Sequence, residues 1–198
     1  SVEGFPSVNI PPGATYVIDG GGFTLSASKS SALGSLFTVK AGASLELRNI
    51  VLTNEGGRAV YVESGGTLIA GEGCVFRRNI GASSPPYGGA VYNYGTFTAD
   101  SATFTGNTAS YGGAVRNDGT FTADSATFTD NTASDNGGAV YNTNGGTFTA
   151  DSATFTGNTA STNGGAVCNS VSYTHLTLPT NTDVSVSGGG GAVWKGGG

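Results

Sequence analysis

Apolar and polar residues alternate strictly through TFTADSATFT, a string that stands unchanged at 96–105, 120–129 and 147–156. In the first copy Phe97 and Ala99 share one face, with Thr96 and Thr98 on the other. Past the Asp100–Ser101 corner, Ala102 and Phe104 point one way and Thr103 and Thr105 the other. Period 2 with Thr and Phe enrichment predicts two short strands joined at a corner. GAVYN and its relatives predict a third, in which Val91, Val115, Val140 and Val167 hold one apolar place. The residue after each is Tyr92, Arg116, Tyr141 and Cys168, and a place that accepts Arg is expected to face water.

These strands recur. GGAV-x-N begins at 88, 112, 137 and 164, in steps of 24, 25 and 27 residues. Between copies the chain runs through FTGN or FTDN, ending at Asn107, Asn131 and Asn158. Length varies in only two places, after the GGAVYN or GGAVRN phrase and after NTAS, which marks both as exposed loops. Three short strands in a turn of about 24–27 residues describe one coil of an all-β, parallel β-helix. A helical repeat is excluded by the Gly and β-branched content and by the lack of a 3.6 period. One coil buries too few apolar groups to order itself, so neighbours must stack. Stacking is expected to align Phe97, Phe121 and Phe148 in one column and Phe76, Phe104, Phe128 and Phe155 in another.

Upstream the pattern decays but persists. RAVYVESGGTLIAGEGCVFRRN (58–79) reads as an irregular coil and SLFTVKAGASLELRNIVLTN (35–54) as another. The expected division is an entry and capping segment at 1–34, coils at 35–170, and an unrelated tail at 171–198. In that tail VSYTHLTLPT breaks the repeat after GGAVCN. One reverse translation of it resembles the adapter of transposase-based sequencing libraries, so the tail is read as non-native. The only His, His175, and the only Trp, Trp194, lie there, so no catalysis or metal site is built on them.

Composition narrows the function. Of 198 residues 35 are Gly, 11% are charged, and Met is absent, from which a processed chain or part of a longer reading frame is expected. No signal peptide is visible, and no apolar run approaches the roughly 20 residues of a membrane helix. A net charge of −5, with Arg116 the only basic residue between Ser83 and Ser170, argues against nucleic acid.

GGAV followed by F-x-x-N in each coil resembles the polymorphic outer-membrane protein repeat. The match is most specific at Gly88–Val91 with Phe104–Asn107, Gly112–Val115 with Phe128–Asn131, and Gly137–Val140 with Phe155–Asn158. The resemblance implies a right-handed β-helix, an extracellular or bacterial cell-surface position, and an adhesive or display role.

Candidate chemistry lies in stacked rows. Asp100, Asp124 and Asp151 would offer a calcium or catalytic carboxylate row, or serve as corner residues bonding nearby backbone. Every such Asp obeys the repeat, whereas a polysaccharide-cleaving site must break it. Asn107, Asn131 and Asn158, and Asn93, Asn117 and Asn142, are expected to stack as amide ladders. The candidate ligand row is Tyr61, Tyr92, Arg116 and Tyr141, because aromatic faces stack on sugars and Arg over Tyr adds a cation–π contact. Outward T-x-T arrays also resemble those of ice-binding solenoids. Cys74 is expected to be buried and Cys168 outward, too far apart for a disulfide. The reading is a non-enzymatic surface adhesin or display stalk, without metal or cofactor, whose partners are host glycans or surface proteins. Its rivals are a carbohydrate-active β-helix enzyme with its active coil elsewhere and an ice-binding solenoid.

Overall fold

A computed structural model describes residues 1–27, 34–82, 84–170 and 193–195. The expected non-native tail at 171–198 lies outside the described residues, apart from the backbone of Val193–Lys195. That short strand pairs in register with Val167–Asn169.

Alternation in the sequence becomes three long parallel sheets, each strand lying beside its counterpart one coil away. The GGAV sheet has eight strands, from Val8–Ile10 to Val193–Lys195, and passes through Val91–Asn93 and Val115–Asn117. The second sheet has six strands, from Thr15–Asp19 to Thr147–Asp151, and pairs Phe97 with Phe121 and Phe121 with Phe148. The third has seven strands, among them Val75–Arg77, Thr103–Thr105 and Thr127–Thr129. The chain is therefore a parallel β-solenoid with three strands per coil. Strands Val8–Ile10, Thr15–Asp19 and Thr24–Ala27 already belong to these sheets, so a complete coil stands ahead of residue 35.

A fourth, three-stranded sheet joins Thr108–Tyr111, Thr132–Asn136 and Thr159–Ala160. It follows each F-x-x-N motif. Its register shifts between Ala109 and Tyr111, where the extra residue of the next coil is taken up. The variable length after NTAS is thus absorbed within a strand pair and not in a free loop.

The core is two parallel aromatic columns whose ring planes meet nearly at right angles. Phe97 and Phe121 stack at 4.6 Å, and Phe121 and Phe148 at 5.1 Å. Phe76, Phe104, Phe128 and Phe155 stack at 4.7–4.8 Å, each ring within 6° of parallel. Phe97 meets Phe104 edge-on at 76°, the arrangement that ring quadrupoles favour. Upstream, Leu68 pairs with Phe97 and Leu52 with Phe76, so the columns continue in leucine.

Two amide ladders bracket this core. Asn79, Asn107, Asn131 and Asn158 are buried, and each Nδ2 donates to the next Oδ1 at 2.9 Å. The same Oδ1 accepts the preceding coil's Asn backbone N–H at 3.0 Å, and Nδ2 also donates to a Phe carbonyl. A carboxamide carries two N–H donors and a separate acceptor oxygen on one short arm, enough for all of these bonds at once, which accounts for Asn in F-x-x-N. Asn93, Asn117, Asn142 and Asn169 form the second ladder, at 2.6–2.9 Å.

Glycine at the second position of GGAV is demanded by packing. A Cβ on Gly113 would sit 2.1 Å from the Gly138 carbonyl oxygen, and one on Gly89 would sit 2.0 Å from that of Gly113.

Candidate functional site

The residue after each GGAV valine projects from the outer side of the GGAV sheet, so strand pairing alone builds the candidate row. Tyr61 pairs with Tyr92, Tyr92 with Arg116, Arg116 with Tyr141, and Tyr141 with Cys168. The structure brings all four proposed residues together. It also changes their setting, because the column is not a row of side chains in water. Tyr92 is only 7% exposed, and Tyr61, Arg116 and Tyr141 are half-buried.

The covering groups come from outside the row. Tyr87 and Tyr111, just ahead of GGAV in their coils, approach Tyr92 and Tyr141 at 5.7 Å and 5.4 Å. Tyr94 lies 4.6 Å from Tyr92, and the two hydroxyls are hydrogen-bonded. Thus Tyr61, Tyr87, Tyr92, Tyr94, Tyr111 and Tyr141 form one connected patch, six of the chain's eight tyrosines.

Two arginines hold the patch. The Arg116 guanidinium lies 4.0 Å from the Tyr87 ring centre and 5.1 Å from that of Tyr92. It forms a two-pronged ion pair with Asp118, Nε to Oδ1 at 2.9 Å and Nη2 to Oδ2 at 3.2 Å. Burial opposes the charge on Arg116, but Asp118 and the Tyr92 and Tyr87 rings more than offset this and hold it above its ordinary value. Asp118 also accepts from the Tyr92 hydroxyl at 3.3 Å and from Asn144 at 2.9 Å, which fixes the carboxylate.

Arg58 is the second. It lies 5.1 Å from the Tyr92 ring centre and 5.7 Å from that of Tyr61, and its Nη2 donates to the Ala82 carbonyl. It is 6% exposed, and burial pulls its guanidinium down to about 10. Burial likewise raises the Tyr61 and Tyr92 phenols above their ordinary value, with Tyr94 adding to the shift in each. Together with Ser35, Tyr61, Tyr87, Tyr92 and Tyr94, Arg58 lines a shallow, open cavity of about 540 Å³ on this face.

Arg58, Tyr87 and Tyr94 were missed from the sequence. Arg58 had a visible signal, because pairing Val60 with Val91 sets it level with Gly89. It is therefore a large cation in the place where later coils require Gly. Tyr87 and Tyr94 sit where coil length varies, and no spacing rule aims them at the column.

The other rows settle differently. Asp100, Asp124 and Asp151 are in register and exposed, on a different sheet from the tyrosines. Each accepts a hydrogen bond from the following serine hydroxyl, at 3.0, 3.3 and 3.4 Å. The partner is thus the corner Ser side chain; Ser101 and Ser125 take the left-handed backbone there, at φ 58° and 52°. No group of three His, Cys, Asp or Glu among the described residues is arranged to hold a metal ion. Thr96, Thr120 and Thr147 are exposed and stack in register.

Both cysteines are free. Cys74 is buried as expected, and its thiol donates to the Leu47 carbonyl at 3.0 Å. Cys168 shares the outward place of Tyr141 in the strand register but is not exposed to solvent: it is 1% exposed. Strands pair on both sides of it, and a thiol is too short to reach past them as a tyrosine ring does. Burial raises both thiols to about 11.

Three segments of the chain, 101–118, 125–143 and 152–170, match the model of the Chlamydia polymorphic membrane protein repeat. Each runs from the corner after TFTAD through F-x-x-N to the next GGAV strand, so the match covers those parts of three coils and leaves out the TFTAD strands. No curated protein and no solved structure matches the chain. Among the described residues no helix is long and apolar enough to cross a membrane.

Proposed function

We propose that this chain is part of a bacterial surface protein, that its solenoid acts as an adhesin, and that the tyrosine–arginine face of the GGAV sheet contacts host glycans without catalysing a reaction. The repeat match supports the surface setting, since it is to a repeat of chlamydial membrane proteins. The observation that carries the binding role is the concentration of six tyrosines on one face around Arg58 and Arg116. Aromatic rings offer flat apolar faces and hydroxyl rims to sugars, and the two cations fix ring orientation. The Asp row supports no catalytic rival, because its members are equivalent and face solvent on another sheet. A shallow solenoid face gives weak single contacts, and repeated display turns them into attachment.

The test is attachment of beads carrying many copies of the chain to host cells. The double variant Tyr61→Ser with Tyr141→Ser keeps the fold, because both rings are half-buried and outside the core. It is expected to lose most attachment, as is the parent on cells stripped of surface glycans. Equal attachment by parent and variant removes this face and leaves the coils as a stalk.

A further inference from the structure

Repeat symmetry breaks at one point on this face. Gly89, Gly113 and Gly138 occupy one place in successive coils, and each lacks room for a Cβ. Level with them, one coil earlier, stands Arg58. The amide ladder breaks at the same coil. Asn54 turns its Nδ2 to the Arg58 carbonyl at 2.9 Å, and Asn79 Oδ1 is left with no donor. A cation has thus been installed where the regular coil admits no side chain.

The charge on Arg58 is incompletely met. Among the described residues no carboxylate pairs with it. Among the described residues its one hydrogen-bond partner is the Ala82 carbonyl, and its buried Nε finds no acceptor. Arg116, the other cation on this face, is neutralised by Asp118. A guanidinium this buried, faced by two tyrosine rings and one carbonyl but by no carboxylate among the described residues, is costly unless an anion completes it. It lines the tyrosine cavity of about 540 Å³, large enough for a single sugar ring.

We propose that Arg58, with Tyr61, Tyr87 and Tyr94, forms a subsite for a carboxylated sugar, the carboxylate on the guanidinium and the pyranose ring against the tyrosines. This rests on the glycan-binding reading and narrows its substrate class to acidic sugars. Charge-assisted hydrogen bonds give the carboxylate its preference over a neutral group. The carboxylate can come from a terminal sialic acid or from an internal uronic acid.

The experiment titrates the parent with sialyllactose, sialyllactose methyl ester, a hyaluronan hexasaccharide and lactose. Binding of one acidic probe at least tenfold tighter than lactose is expected, and which acidic probe binds distinguishes the two sources. If sialyllactose is that probe, its methyl ester should lose the same factor, a comparison that needs no mutation. Arg58→Met should reduce acidic binding to the lactose level, and Arg58→Lys should retain part of it. Equal binding of acidic and neutral sugars overturns the subsite but leaves the tyrosine face standing. No binding of any sugar, with bead attachment also lost from the reading above, overturns both.

Discussion

The Arg116 guanidinium lies 4.0 Å from the centre of the Tyr87 ring, although the two residues belong to different segments of the coil. Arg116 reaches that position from the GGAV sheet, and Tyr87 from the turn that precedes it one coil earlier. Asp118 fixes the guanidinium from the other side. The face is therefore a braced aromatic layer, and side chains that strand alternation sends outward become partly buried against one another.

The GGAV glycines set the spacing of the stack, and this yields a paired comparison. Gly113→Ala would force a Cβ to within 2.1 Å of the Gly138 carbonyl oxygen. It is expected to cost about 3 kcal/mol or to prevent folding. Gly106→Ala meets nothing within 4 Å and suffers only its left-handed backbone, at φ 62°. Its expected cost is about 1 kcal/mol. Thermal melts by circular dichroism check the order, and equal shifts would contradict it.

The amide ladder and the aspartate row make opposite forecasts for similar side chains. Asn131→Ala removes the donor to the Phe104 carbonyl and the acceptor for two Asn107 groups, all buried. Stranding those groups is expected to cost roughly 3 kcal/mol. Asp124→Asn, on an exposed corner with one serine contact, should cost under about 1 kcal/mol. Denaturant unfolding of both variants checks this, with Asp124→Asn as the control that a repeated row need not matter.

The solenoid was legible because its physics is periodic. Identical strings in identical places must stack in register, so the Phe97–Phe121–Phe148 column and the Asn107–Asn131–Asn158 ladder follow from spacing alone. The alignment of Tyr61, Tyr92, Arg116 and Tyr141 was legible for the same reason, since the four are paired by strand register. What spacing does not show is the non-periodic part. Tyr87 and Tyr94 arrive from segments of variable length, and Arg58 replaces a glycine in a decayed coil. Burial of Tyr92 depends on all three. Cys168 was misplaced because outward direction was equated with exposure, which holds for a long side chain at an open edge and fails for a short one between paired strands.

Amide hydrogen exchange, with and without an excess of glycans released from host cells, tests the central claim most directly, because it locates the ligand. Added protection is expected in the segments 58–62, 87–94, 111–117 and 140–142, which carry the six tyrosines and two arginines of the face, with the threonine-bearing strands 96–100 and 120–124 unchanged. Protection confined to those threonine strands, or none anywhere while beads still attach to cells, would contradict it.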